Sequence, residues 1–311
     1  MWVPLGICHE GHPCRNASPI MNPDADEISW IAESFGIPLD YLSGSLDPDE
    51  VSRAENLGPD AAVGAALISL LFPLLKNPAD KRVSYVNHTL SIVYTAECAV
   101  TSVRTDPGFL NYILQGRYDF VSEVHDPRSL IMELVWQITR AYVLACRDVM
   151  YEIEHLQEKF STSTKTEDLL QLADLDKSII FLRTAVTENK HILARMSEDP
   201  RLVSEQGAKA MMHDVLTESR QADSMSNQAK QLLERLDTTL AGVIQNNLSE
   251  IMKTLTSVTI IMTIPMFLAG LWGMNVALPF DDHLLAFVIL VLLTVGLMAI
   301  AGFVLKRKYL L

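Results

Sequence analysis

From Thr254 to Phe280 the chain carries no charged side chain, and a second run, Leu284 to Leu305, carries none either. About 20 such residues in an α-helix cross the hydrocarbon core of a bilayer. Lipid offers no partner to an open peptide group, so segments this long and apolar must satisfy their backbone internally. Two helices joined by a short polar loop are the economical solution, and the sequence is expected to end in a membrane hairpin. Lys253 precedes the first run and Lys306, Arg307 and Lys308 follow the second, whereas the connection offers only Asp281, Asp282 and His283. That asymmetry predicts both termini on the cytoplasmic side of the cell membrane. Met1 to Arg15 has neither the basic start nor the apolar core of a signal peptide, so the N-terminal part is expected to remain inside.

The net charge is −13, and the part from Lys253 onward holds more basic than acidic residues, so the excess of acid lies in residues 1–252. An acidic body disfavours nucleic acid and anionic lipid as partners and favours cations, although most of its carboxylates read as ordinary solubility charge. Cys8, Cys14, Cys98 and Cys146 are few and scattered, as suits a reducing compartment. The N-terminal group Cys8, His9, His12 and Cys14 matches no standard structural zinc spacing and reads as an incidental terminus. No catalytic residues are expected: no motif joins a Ser or Cys nucleophile to a base, and no glycine-rich phosphate loop is present. Nor is an organic cofactor implied.

Along the chain, Pro23 to Leu42 reads as a short amphipathic helix closed near Gly36 and a second beginning around Pro38. Leu46 to Glu50 is a turn or helix start. Ala65 to Leu75 is apolar without a clear period, while Arg82 to Thr95 and Ala99 to Arg104 are rich in β-branched and aromatic residues and predict strands. Asp106-Pro107-Gly108 breaks the pattern before a helical segment at Phe109 to Leu114. After Pro127 strand signals vanish. Leu130 to Phe160 and Glu167 to Met196 read as an antiparallel helix pair about the Ser/Thr-rich turn 161–166. Between Pro200 and Pro265 no proline occurs, and apolar residues from Met212 to Leu255 keep helical spacing into the first membrane run. One continuous helix follows, on the order of 100 Å long at about 1.5 Å per residue, and its stripe is expected to pack against copies of itself.

On that helix Ser249, Thr256, Thr259, Thr263 and Gly270 share one side, with Met252 and Met266 beside them. Bundled about an axis, the side would line a lumen with hydroxyls and thioethers; the alternative is that each hydroxyl bonds its own helix backbone. Gly273-Met274-Asn275 follows where the helix must stop. Glycine permits tight backbone there, and asparagine supplies a neutral amide oxygen. A ring of such oxygens accepts hydrogen bonds from the water around Mg²⁺, which releases its shell reluctantly. Asp281 and Asp282 fit a cation-attracting entrance and an ordinary solvated loop equally well.

Leu268-Ala269-Gly270-Leu271-Trp272-Gly273-Met274-Asn275-Val276, followed by one further span and the basic end Lys306-Arg307-Lys308, resembles the CorA family of divalent-cation channels. The segment Ile28 to Glu50 is similar to the N-terminal domain of many members. The resemblance implies an α/β cytoplasmic domain, a long stalk helix and a two-helix transmembrane hairpin, assembled as a funnel-shaped homopentamer in membrane lipid. Its segments would be a variable N-terminus (1–20), the α/β domain (21–126), a helix pair (127–200), the stalk and pore-lining helix (201–272), an external loop (273–283), the outer span (284–305) and a basic tail (306–311). It further implies a selectivity ring of Gly273, Met274 and Asn275 for hydrated Mg²⁺, a constriction at Met252 and Leu255, and a lumen site at Thr263. Ser249 stands where some relatives carry a pore-lining asparagine, and Thr263 near a position often occupied by methionine. Asp214 and Glu218 resemble part of an intracellular Mg²⁺ sensor between protomers. The function implied is passive, potential-driven Mg²⁺ influx, with Co²⁺ a further candidate cargo. Zn²⁺ transport on the same architecture and a non-conducting membrane-anchored coiled coil are the alternatives.

Overall fold

The structure is a computed structural model that describes residues 20–307 except 48, 49, 78–81, 96, 97, 125, 163–165 and 275–283. It divides into two compact units, residues 1–236 and 237–311, and the division falls within one helix.

The first unit is built on a five-stranded mixed sheet in the order β1-β5-β4-β3-β2. The strands are β1 (Ile20–Met21), β2 (Arg53–Glu55), β3 (Ala66–Leu75), β4 (Tyr85–Tyr94) and β5 (Ala99–Val103). β1 runs parallel to β5 and every other pairing is antiparallel. β3 showed no period in sequence because Ala66 to Phe72 is buried on both faces. β1 and β2, of two and three residues, are too short to leave an alternating signal.

Helix α1 (Ala25–Phe35) starts at a capping box: Glu27 N–H donates to the Asp24 carboxylate at 2.8 Å, and Asp24 N–H donates back to Glu27 at 3.1 Å. It stops at Gly36, whose φ of 64° is left-handed and suits a residue without a Cβ. With α2 (Leu39–Ser43) it buries Ile28, Ile31, Tyr41 and Leu42 against Leu67, Val93 and Val100 of the sheet. After the short helix α3 (Phe109–Leu114) come α4 (Pro127–Thr162) and α5 (Thr166–Glu198), which pack on each other and on β3 and β4. Asp126 caps α4 by accepting from Ser129 N–H at 2.8 Å, with Pro127 at the first position, where its missing N–H costs nothing. Glu133 is fully buried, and its carboxylate accepts from the backbone N–H groups of Asp119, Phe120 and Val121 at 3.0–3.1 Å, tying the α3–α4 connection to α4.

α5 meets the sheet through polar side chains set into an apolar stripe. β2 pairs with β3 only as far as Ser69, so beyond it the outward peptide groups of β3 lose their strand partner. Asn189 takes that place: its Nδ2 donates to Leu71 O at 2.8 Å and its Oδ1 accepts from Leu71 N at 3.0 Å. Ser178 Oγ accepts from Tyr85 N at 2.9 Å, and Gln171 Nε2 donates to Val83 O at 3.2 Å. These contacts fix where α5 lies along the hairpin, which apolar packing alone leaves free to slide.

In the second unit α6 (Gln206–Trp272) completes its 67 residues, and α7 (Leu284–Arg307) follows. Both are long and apolar enough to cross a membrane, and so by composition is Pro127–Phe160 of α4. The window in α4 is 67% buried within the protein, against 6% in each of the others, so α4 is a core helix. Of the turns expected from sequence, residues 163–165 and Pro48-Asp49 lie outside the described residues, as does the Cys8, His9, His12, Cys14 group.

Replacing Asn189 with Leu leaves the Leu71 N–H and C=O without a partner and is expected to cost about 2–3 kcal/mol. Denaturant unfolding of the detergent-solubilised protein, followed by a probe in the first unit, measures it; an unchanged midpoint would refute the pinning role.

Candidate functional site

α6 from Ser249 to Gly273 carries most of the residues expected to act on ions. Helical spacing sorts them cleanly. Ser257 is buried and Ile261, Ile264, Pro265, Leu268 and Trp272 are partly withdrawn from solvent, all within one sector of the helix. Met252, Leu255, Thr256, Thr259, Thr263, Met266 and Gly270 occupy the opposite sector and are exposed, with Ser249 half-buried at its edge. On α7 the less exposed positions Leu290, Thr294, Met298, Gly302 and Leu305 recur every three or four residues, so this helix too has one withdrawn stripe. The polar stripe of α6 is thus left uncovered within the unit.

Two of the hydroxyls on that stripe are oriented. Thr259 Oγ1 donates to Leu255 O at 2.8 Å and Thr263 Oγ1 donates to Thr259 O at 2.7 Å. Each hydrogen is spent on the helix, so what remains at the surface is oxygen lone pairs. Back-bonding, held open in sequence as an alternative to a lumen role, is realised, and it is compatible with that role: an acceptor-only surface suits the donor hydrogens of water around a cation. Pro265 within the helix removes the donor that would satisfy Ile261 O.

Thr263 also borders a cleft of about 470 Å³ formed with Ile260, Ile264, Phe267 and Leu268 of α6 and Leu297 of α7. Its position is the margin between the polar stripe and this apolar cleft.

The end of the helix is tight. Gly273 N–H donates to Ala269 O at 3.0 Å and Met274 N–H to Leu271 O at 3.4 Å, so the last turn closes toward a three-residue repeat. A Cβ at position 273 would press to 3.3 Å from Ala269 O, which explains glycine there by close approach and not by a positive φ. The helix ends with its carbonyls, the negative end of its dipole, toward the segment that follows. Met274 is exposed at 55%. Asn275, Asp281 and Asp282 lie outside the described residues.

In the first unit, Asp214 is exposed and Glu218 half-buried on α6. Among the described residues no group of three or more His, Cys, Asp and Glu side chains comes together to hold a metal. The sequence reading missed the cluster around Asp199 and Arg201 at the α5–α6 turn, where Asp199 is fully buried. Its signal, charges at a helix junction, is indistinguishable in sequence from a solvated turn.

The chain is 22% identical over 294 residues to the cobalt/magnesium transport protein CorA of Methanocaldococcus jannaschii, covering 92% of this chain and 88% of that protein. The complete structure of the CorA magnesium transporter from the same organism superposes with a TM-score of 0.76 at 21% identity, covering 92% of this chain and 88% of that one. The full-length CmaX protein gives 0.67 at 15% identity, over 92% of this chain and 86% of that one. The ZntB cytoplasmic domain from Vibrio parahaemolyticus gives 0.53 at 10% identity, over 74% of this chain and 89% of that one. At these identities the structures speak for the fold. The sequence pattern of the CorA-like Mg²⁺ transporter family matches residues 19–307, nearly the whole chain, and the protein belongs to that family.

Proposed function

We propose that this protein is a passive divalent-cation channel of the cell membrane that carries Mg²⁺ inward, with Co²⁺ as a second cargo. The observation that carries the reading is the exposed stripe of Thr259 and Thr263, acceptor-only by their own hydrogen bonds, running to the tight Gly273 end of a helix whose other side is apolar.

A stripe of this kind, its hydroxyl hydrogens satisfied within the helix, is free to face an axis on assembly. Brought together around an axis in a homopentamer, the stripes form a lumen lined by Ser249, Thr256, Thr259, Thr263 and Met266, with Met252 and Leu255 as an apolar constriction. The carbonyl ends of the helices and the amide oxygens of Asn275 then meet at one mouth. Dipole negativity there favours cations without a fixed charge to trap them, so a hydrated Mg²⁺ is held through its water and released. Asp281 and Asp282 raise the cation concentration at this entrance. With both termini cytoplasmic, the membrane potential drives entry: a divalent ion gains about 4.6 kcal/mol per 100 mV, twice the single-charge value. No ATP is needed. Internal Mg²⁺ bridging carboxylates of neighbouring protomers, with Asp214 and Glu218 supplying one side, closes the pathway.

In proteoliposomes with an imposed potential, the wild type is expected to carry Mg²⁺, and Asn275→Ala to lose that flux while its oligomer size on gel filtration is unchanged. Flux of Zn²⁺ driven by a proton gradient with none of Mg²⁺ would replace this reading by zinc transport. Thr263→Val keeps shape and removes the outward lone pairs; at about 1 kcal/mol per lost hydrogen bond its Mg²⁺ flux is expected to fall about fivefold. Unaltered flux in this variant would take Thr263 off the ion path.

A further inference from the structure

The turn between α5 and α6 carries a buried ionic cluster that ion passage does not explain. The Asp199 side chain is 0% exposed. Its carboxylate accepts from Arg201 Nη2 at 2.7 Å, Arg201 N–H at 2.8 Å, Gly58 N–H at 3.1 Å and Tyr94 Oη at 3.2 Å. The Arg201 guanidinium lies 5.4 Å from the centre of the Tyr94 ring and also donates to Asn56 O and Ala62 O. One turn earlier, Arg195 in the last turn of α5 donates to Ala54 O and Leu57 O, both at 2.8 Å. Three charged side chains from one helix junction therefore grip the backbone of the connection between β2 and β3.

That connection is itself braced. Asn56, in the left-handed region at φ 49°, donates through Nδ2 to Ala62 O at 3.1 Å and Ala65 O at 3.0 Å and accepts from Ala62 N–H at 2.7 Å. On the other side the junction is closed by Leu202 and Val203 N–H donating to Asp199 O, just before α6 begins at Gln206. A buried ion pair contributes little net stability compared with an apolar plug of the same volume. What its directional contacts supply is a fixed relative orientation of the groups they join. Burial by itself would raise the Asp199 carboxyl, but the Arg201 and Gly58 hydrogen bonds and the Arg201 charge outweigh it and hold its pKa below the usual carboxylate value, so the pair stays ionised at neutral pH.

We propose that Asp199 and Arg201 are positioning residues that make the β2–β3 connection and the root of α6 one mechanical unit, so that a displacement of the sheet is delivered to α6 instead of being absorbed at the turn. Its use in transport rests on the channel reading above: the joint sets the internal Mg²⁺ concentration at which flux is halved.

The full-length protein in nanodiscs and in proteoliposomes tests both halves. The variants are Asp199→Asn and, should that one fail to fold, Arg201→Lys, which keeps the charge and loses the fork. Amide hydrogen exchange is expected to rise in residues 54–62 and 199–209 together, by about tenfold or more, because the segments open as one unit. The internal Mg²⁺ concentration for half-maximal flux is expected to move by about fivefold with the maximal flux retained, the low end for coupling between sites. Faster exchange in only one segment overturns the joint. Faster exchange in both with an unmoved Mg²⁺ midpoint overturns its role in transport and leaves a purely structural clamp. Absence of flux in the wild type counts against the channel reading alone, since the exchange measurement needs no ion.

Discussion

A peptide group in lipid finds no partner outside its own segment, and that constraint shapes the second unit of this protein. It forces 254–272 and 284–305 into helices and leaves side chains as the means of presenting polarity. Thr259 and Thr263 obey it strictly: their hydrogens close on carbonyls one turn back, and only their lone pairs face outward. The consequence is a surface that repels anions and accepts the hydrogens of hydration water.

The first unit obeys the companion rule for a protein interior, where buried polar groups must be paired. Asn189 completes the edge of β3, Glu133 collects three backbone N–H groups, and Asp199 collects two side chains and two backbone groups. Each sits where one element hands over to another: strand edge to helix, connection to helix, helix to helix. Apolar burial holds the layers together, while these pairings decide where along each other the layers stop. The result is an α/β body whose last turn leads into α6.

Much of this architecture can be read from residue order. The runs Arg82 to Thr95 and Ala99 to Arg104 announce strands because β-branched and aromatic side chains suit a pleated sheet. Asp24 with Glu27, and Gly36 after them, mark both ends of α1 because capping chemistry is local. The side of α6 that bears Ser249, Thr256, Thr259 and Thr263 is legible because helical pitch is fixed. By contrast, β1 and β2 are too short to carry a period, and β3 is buried on both faces and loses its alternation. Asn189 on α5, and Asp199 and Arg201 in the turn after it, look in sequence like any other polar residues, since their partners Leu71, Gly58 and Tyr94 are more than a hundred positions away.

The sequence alone determined that this chain carries two late runs long and apolar enough to cross a membrane as helices, that one of them bears a polar stripe, and that the stripe is followed by Gly-Met-Asn, because hydropathy, pitch and chain order are properties of neighbouring residues. Only the tertiary structure decided that α4, although apolar enough to span a bilayer, is a buried core helix, and that the stripe of α6 is the side left uncovered. It also decided that an ionic cluster binds the α5–α6 turn to the β2–β3 connection. Those facts depend on which distant surfaces meet, and burial and pairing between distant residues exist only once the chain has folded.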